Sequence, residues 1–499
     1  MPTLRATAYT DGAAQRLTDG YILLMLLVFP LFTGLQGYAA ITVSKFVFFA
    51  VATGAWLLGL CLLPLLPVQR APRARRELCF WLCAAFAALA CLSALCSPHR
   101  GSTLLGAGRY DGLVTTLLYC GVTLGVQRHA APRRRYAAAL AASMSVCCLI
   151  ALLQLTGRNP FGLFPDGYTY FDADVRYSGA FLGTIGNVDV LAAYLCCGVG
   201  VCCGVWICSE RRRDVWLLGP ALLGALVLAA SRVAAGAVGL AAGALVGAPV
   251  LIGSSARLRR ACVAGAAVLL GAAGAYGFNA LSRRAALLLC AGAAVCLAAA
   301  ALCLLLRQPK RLRAVMLALS CAAVLAGLAL AWSWPGTDGS LYELSCLLHG
   351  HAEDRFGSSR IGIWRRCLRC IAQRPWLGGG PGTAALQLDM TFSRRIAETG
   401  VLRTVHVDNA HNVYLGCALD LGLPALGVLL AYLAAAFARW LRGRNQTLRP
   451  AFGLGVCACA VQACFGLGLC LTAPVFLILL ALTAVPSDRS TEVDPWTTN

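Results

Sequence analysis

Apolar runs of about 20 residues recur from one end of this chain to the other. A helix of that length spans the hydrocarbon core of a bilayer, and a water-soluble fold has no interior large enough to bury so many of them. The chain of 499 residues is 59% hydrophobic and only 13% charged, against about 25% charged in soluble domains. These features predict an all-α, polytopic integral membrane protein. About fourteen candidate spans centre near residues 28, 54, 88, 118, 146, 198, 222, 243, 270, 295, 324, 425, 459 and 478, which sets an expectation of 12–14 transmembrane helices. The stretch 450–485 is too long for one helix and divides into two short ones. The first apolar run, from Tyr21, lacks the pattern of a cleaved signal peptide and is expected to stay as a signal-anchor.

The formal charge of +21 suggests a nucleic-acid partner until its distribution is considered. A nucleic-acid reader concentrates basic residues on one soluble face. Here six short clusters ("QRAPRARRE", "QRHAAPRRR", "ERRRD", "SSARLRR", "RQPKRLR" and "RWLRGRNQTLR") hold 22 of the 42 Lys and Arg, and each follows an even-numbered span. The positive-inside rule places all six, with both termini, in the cytoplasm; "SRR" near Arg283 runs against the pattern. No nucleic-acid partner is expected. The resulting organisation is a cytoplasmic tail (1–19), eleven spans (20–334), a large extracytoplasmic segment (335–410), the remaining spans (411–485) and a second cytoplasmic tail (486–499). The odd-numbered connections then share the outer face. They include the loop 156–187, the pair Ser231-Arg232 and the segment 335–410. That last segment is too small for an independent catalytic domain and is expected to cap a site formed with the helices.

Most of the 26 cysteines lie inside apolar runs, as in Cys147-Cys148, Cys196-Cys197 and Cys202-Cys203. There they act as small hydrophobes; a disulfide framework would place them in polar loops. Cys367 and Cys370 form a C-x-x-C with no second pair nearby, so no metal site is expected. Asp172 and Asp174 in "FDADVR" could hold a divalent ion on a nucleotide-sugar enzyme, but the soluble nucleotide fold this requires is absent.

Four outward stretches carry polar chemistry. In "GSSRIGIWRRCLRCIAQRPWLGGGPG", Ile361, Trp364, Leu368 and Ile371 share one helical face, with Arg365, Arg366 and Arg369 off it. This fits an amphipathic helix on the bilayer surface, and its arginines serve either as interfacial anchors or as an anion site. Arg232 interrupts an apolar stretch, a costly placement that marks a functional candidate or a charge in a tight turn. Arg176, Asn187 and Asp189 stand where a 30-residue loop enters a span, and Asn187 suits a helix cap. "VDNAHNVYLGCALDLGLPALG" changes from polar to apolar at His411 and Asn412. His411 titrates near neutrality and could take a proton from a hydroxyl nucleophile, or could simply cap a loop. Asp420 lies roughly 13 Å further along at 1.5 Å per residue, too far to orient the imidazole, and is expected to pair inside the bundle.

Together these stretches resemble the O-antigen ligase and O-antigen polymerase superfamily of bacterial membrane glycosyltransferases. "AHNVYLGCALDLGLPALG" is similar to its His-Asn-x-Tyr-Leu helix with an acid-x-Gly-x-x-Gly continuation. "SSRIGIWRRCLRCIAQRPWLGGGPG" resembles its Arg-x-x-x-Trp and Arg-Pro-x-x-Gly-x-Gly segment, "RYSGAFLGTIGNVDVLAAYL" its Ser-Gly-x-Phe-Gly-Asn-Pro-Asn entry, and "ASRVAAGAVG" a Ser-Arg-small pattern. Order and spacing agree over roughly residues 100–485, with the core of the ligase-related region at about 187–430. Val188 and Asp189 replace the usual Pro-Asn, and Asp420 the usual Glu. The resemblance implies a GT-C-like membrane fold in the cytoplasmic membrane and a role in cell-envelope polysaccharide biosynthesis. It implies transfer of a glycan from undecaprenyl diphosphate, on the outer face, to a hydroxyl of a glycan, lipid or protein acceptor, without cofactor or metal. His411 would then be the base, and Arg360 and Arg232 the clamp on the diphosphate. Asn412, Tyr414, Asn187, Arg176 and Trp364 would bind substrate.

Two other functions fit the same chain. One is a repeat-unit polymerase of the same superfamily. The other is a polysaccharide transporter or flippase, which predicts charges at the midplane of pseudo-symmetric halves. No internal repeat is visible, and the notable charges collect at the outer surface.

Overall fold

The computed structural model describes residues 2–63, 78–164, 181–304, 311–395, 402–446 and 448–485. The chain begins with α1 (Pro2–Leu23), which runs on through a π turn (Leu24–Val28) and a 3-10 turn (Phe29–Leu31). α2 (Ile41–Leu62), α3 (Leu78–Cys96) and the single turn α4 (Arg100–Thr103) precede α5 (Leu113–His129) and α6 (Arg134–Leu155). A minimal hairpin, β1 (Phe181–Leu182) and β2 (Gly186–Asn187), leads into α7 (Val188–Cys208). Then come α8 (Leu218–Ala230), α9 (Ala234–Leu251), α10 (Ser255–Gly274), α11 (Arg283–Leu302) and α12 (Leu312–Trp332). The segment after α12 holds α13 (Gly339–Leu348), α14 (Arg360–Gln373), α15 (Ala384–Leu388) and an antiparallel hairpin of β3 (Thr391–Arg395) and β4 (Leu402–His406). The chain closes with α16 (Val413–Leu421), α17 (Leu423–Arg442), α18 (Leu448–Gln462) and α19 (Ala473–Thr483).

Among the described residues, eleven helical stretches are long and apolar enough to cross a membrane. α5, α18 and α19 have 17, 15 and 11 residues. Eleven and three make fourteen, one at each position that hydropathy marks, so the chain is an all-α polytopic membrane protein.

Burial identifies the centre. In α7, 94% of the apolar window is buried, against 11% in α11 and 6% in α12. α7 is therefore the axis of the bundle, and α11 and α12 form a rim open to lipid. Small residues let the inner helices approach closely, as in membrane bundles generally. A Cβ on Gly200 would stand 2.5 Å from Gly455 Cα, and one on Gly204 2.4 Å from the Ala451 carbonyl, so α7 and α18 meet backbone to backbone. Cys196, Cys197, Cys202, Cys203 and Cys459 are buried at this seam as free thiols.

One charge sits deep among these helices. Lys45 on α2 is fully buried, and its Nζ donates to the Phe29 and Pro30 carbonyls at 3.0 Å each. Pro30 and the change from π to 3-10 winding leave those carbonyls outside the α-helical ladder. The ammonium supplies the donors that lipid cannot, and it also lies 5.0 Å from the centre of the Phe29 ring.

The segment after α12 is folded onto the bundle. Its α14 buries Ile363, Cys367, Cys370 and Ile371 against Ala384, Leu388, Val407, Ala410, Ala418 and Leu419. This corrects the expected stripe, since Leu368 is 56% exposed and the C-x-x-C cysteines take its place in the core. The helix thus rests on α15 and α16 rather than on lipid alone.

Candidate active site

α7, α9, α14, β3, β4 and the loop before α16 enclose a polar cavity of about 1580 Å³. His411, Arg360, Arg232, Asn187 and Trp364 all line it, although they lie as far apart in sequence as residues 187 and 411. Four further charged residues stand in its wall: Arg109, Asp189, Glu343 and Asp408.

His411 ends the loop before α16 and adopts a left-handed φ of 49°, a conformation that non-glycine residues seldom hold. Its backbone N–H donates to Asn409 Oδ1 at 3.1 Å. The imidazole is left uncommitted, because Nδ1 is buried without a hydrogen-bond partner. Burial and the neighbouring Arg360 guanidinium hold the ring below its ordinary pKa, with Asp189 acting the other way. The ring is therefore neutral at physiological pH and able to accept a proton.

Arg360 opens α14. Ser358 and Ser359, both at positive φ, turn the chain into this helix. Its Nη1 donates to the Gly357 carbonyl at 3.0 Å, Nη2 lies 3.5 Å from Asp189 Oδ1, and Nε is buried without a partner. Asp189 stands in the first turn of α7, capped by Asn187, whose Oδ1 accepts from Asp189 N at 2.9 Å and Val190 N at 3.3 Å. A helix N-terminus carrying partial positive charge, an acid and a guanidinium thus meet beside the histidine.

Arg109 is the second cation acting on His411. Its Nε and Nη2 grip Asp408 Oδ2 at 2.7 and 2.6 Å, three residues before the histidine. The available signal is "GRYDG", an arginine and acid in an outward connection between spans 3 and 4. Arg232 lines the cavity at a left-handed φ of 56°, but is exposed and donates to the Asn279 carbonyl in the α10–α11 turn.

Asn412 and Tyr414, expected to bind substrate, have other partners. Asn412 Oδ1 caps α16 by accepting from Tyr414 N and Leu415 N at 3.0 Å each, and the Tyr414 hydroxyl donates to the Ala460 carbonyl at 2.7 Å. Both hold the histidine's helix in place, and neither lines the polar cavity. Trp364 lines it and donates from Nε1 to the Ala410 carbonyl at 3.1 Å, which fixes the residue before His411. Arg176, Asp172 and Asp174 lie outside the described residues.

Asp420 links the two halves of the site. Its Oδ2 accepts from Gly382 N and its Oδ1 from Gln387 Nε2, both at 3.1 Å, while its carbonyl accepts from Gly380 N at 2.9 Å. Gly378 packs so closely here that a Cβ would lie 2.5 Å from the Asp420 carbonyl. The glycine turn after α14 is thereby fastened to α16. Asp420→Ala would leave the Gly382 N–H unpaired, at about 1–3 kcal/mol, and would cost Gln387 one of its two amide contacts, the other being to Thr383 Oγ1 at 2.8 Å. We expect a lower thermal unfolding midpoint and Asp420→Asn, which keeps an acceptor, to recover most of it. An alanine variant melting with the native protein would contradict this fastening role.

A second cavity, of about 290 Å³ and mostly apolar, lies on the other side of the 409–412 loop. Leu82, Phe86, Val428 and Leu429 are among its walls, and Asp111, Asn409, Asn412 and Asp420 line it as well. The His411 loop therefore separates a polar chamber from an apolar one.

Comparison with curated proteins gives no match. Residues 282–430 match the family model for O-antigen ligase, a span that includes Arg360, Trp364, His411 and Asp420 and leaves Arg109, Asn187, Asp189 and Arg232 outside. The chain is thus a polytopic membrane protein in which residues 282–430, which supply both the histidine and the guanidinium beside it, are similar to the O-antigen ligase family.

Proposed function

We propose that this protein transfers a glycan from an undecaprenyl-diphosphate-type carrier to an acceptor hydroxyl, on the outer face of the cytoplasmic membrane. The observation that carries this reading is the uncommitted His411 ring beside Arg360 in a polar chamber, with an apolar cavity behind the same loop. The acceptor O–H gives its proton to a ring nitrogen of His411. The oxygen bonds to the anomeric carbon, and the bond from that carbon to the diphosphate breaks. Arg360, with the unpartnered Nε, takes up charge developing on the departing diphosphate, assisted by Arg109 and by Arg232 across the chamber. Fixed donors aimed at developing charge contribute more to the rate than any other single effect in many enzymes, and a guanidinium fork matches phosphate oxygens. Support for the outer location comes from the Arg-rich connections, which by the positive-inside rule would face the cytoplasm and leave the chamber on the opposite side.

The test is reconstitution in vesicles with a glycan-loaded isoprenoid diphosphate and candidate acceptors, followed by product mass. A single glycan joined to a non-carrier acceptor supports the ligase. Products lengthened on the carrier, without any other acceptor, identify the polymerase. Movement of the loaded carrier between leaflets with no new glycosidic bond would overturn the enzymatic reading.

A further inference from the structure

The end of the bundle remote from the polar chamber carries a third cavity with a different chemistry. α9 starts beside Arg232 and α17 just after α16, so the far ends of both helices lie about 27–30 Å away at 1.5 Å per residue. There α9, α12 and α17 enclose about 730 Å³. Val246, Leu317, Val324, Leu325, Phe437 and Leu441 form the walls. All six are more than a third exposed, so the cavity opens sideways where lipid chains lie. At its mouth stand Arg313 and Arg444, and Arg257 joins them by donating to the Arg444 carbonyl at 3.4 Å.

These three arginines differ from the run Arg133–Arg135 at this end. Arg133 and Arg135 pair with Asp19, and Arg134 with Asp214. Among the described residues, no carboxylate pairs with Arg257, Arg313 or Arg444. Arg313 Nη2 donates to Asn445 Oδ1 at 3.1 Å, but its Nε is buried without a partner. Three like charges facing one another, with no acid between them, call for an external anion. A topogenic signal would need only their number, not a shared apolar cavity.

We infer that this cavity binds an acidic phospholipid, with its phosphate among Arg257, Arg313 and Arg444 and acyl chain along the α9–α12–α17 wall. Basic pockets between transmembrane helices take anionic headgroups in this way. A lipid here would also tie the sparsely buried α12 to the bundle, and α12 leads directly into the segment that carries Arg360.

The full chain, placed in bilayers of equal phosphatidylglycerol and phosphatidylcholine and released for native mass spectrometry, should retain phosphatidylglycerol at least about fivefold over phosphatidylcholine. Arg313→Gln with Arg444→Gln should bring the ratio to parity. Val246→Trp keeps the arginines and fills the wall, so it should lose retention as well. Each variant is checked by its unfolding midpoint in detergent. Native protein with no preference, or variants that keep it, would overturn the inference. If millimolar inorganic phosphate displaces the lipid and Val246→Trp retains it, the site takes a free anion and the inference is wrong in the same way.

Discussion

Replacing His411 is expected to lower the rate of glycan transfer by about 10²–10⁴-fold, the usual contribution of a positioned general base, with little change in donor binding. The choice of substitution matters. His411 holds a left-handed φ of 49°, which costs most residues roughly 1–2 kcal/mol and costs asparagine less. His411→Ala therefore removes the base and strains the loop that also carries Asp408 and Asn409. His411→Asn removes the base and tolerates the backbone. If the loss comes from chemistry, both variants fall to the same low rate and Asn keeps the native unfolding midpoint. If it comes from the loop, His411→Asn recovers most of the rate, and the base assignment fails. Donor affinity, measured by quenching or by retention of a labelled carrier, should stay within a few-fold in either variant, because in the proposed mechanism guanidinium groups hold the diphosphate.

Much of the fold is legible in the sequence because membrane insertion depends on local quantities. Each span is a contiguous apolar run that can be read without its neighbours. The structure places a helix at every one of the fourteen positions. Tertiary pairing is less legible. Arg109 grips Asp408 across 299 residues of sequence, and nothing in "GRYDG" marks that partner. Asn412 and Tyr414 stand next to the histidine, and proximity alone suggests substrate ligands. Short side chains at helix starts satisfy the helix's own N–H groups first, and Asn412 does so here. The buried face of α14 is misread from sequence for a related reason. Cys367 and Cys370 invite a chemical reading as C-x-x-C, yet they fill the positions of small hydrophobes in the core.

The placement of Arg360 makes a prediction with a sign as well as a size. Loss of one donor to developing charge costs about 10²–10³-fold, so Arg360→Gln should lower the rate by that order. The same substitution should also move the pH profile. A general base works only when neutral, so kcat/KM falls as pH drops through the pKa of His411. That pKa lies below the ordinary 6.5 because burial and the Arg360 cation both disfavour imidazolium, while Asp189 favours it. Taking away the cation in Arg360→Gln raises the pKa, and the acid limb moves to higher pH. Taking away the anion in Asp189→Asn lowers it, and the limb moves to lower pH. Asp189→Asn also releases Arg360 Nη2 from its contact at 3.5 Å, so its donor affinity should hold or rise. Opposite shifts from two partners of one ion pair cannot come from a general loss of folding, which would lower activity at every pH. Limbs that stay fixed, or move in the same direction, would detach Arg360 and Asp189 from the titrating group and with them the reading of His411 as the base.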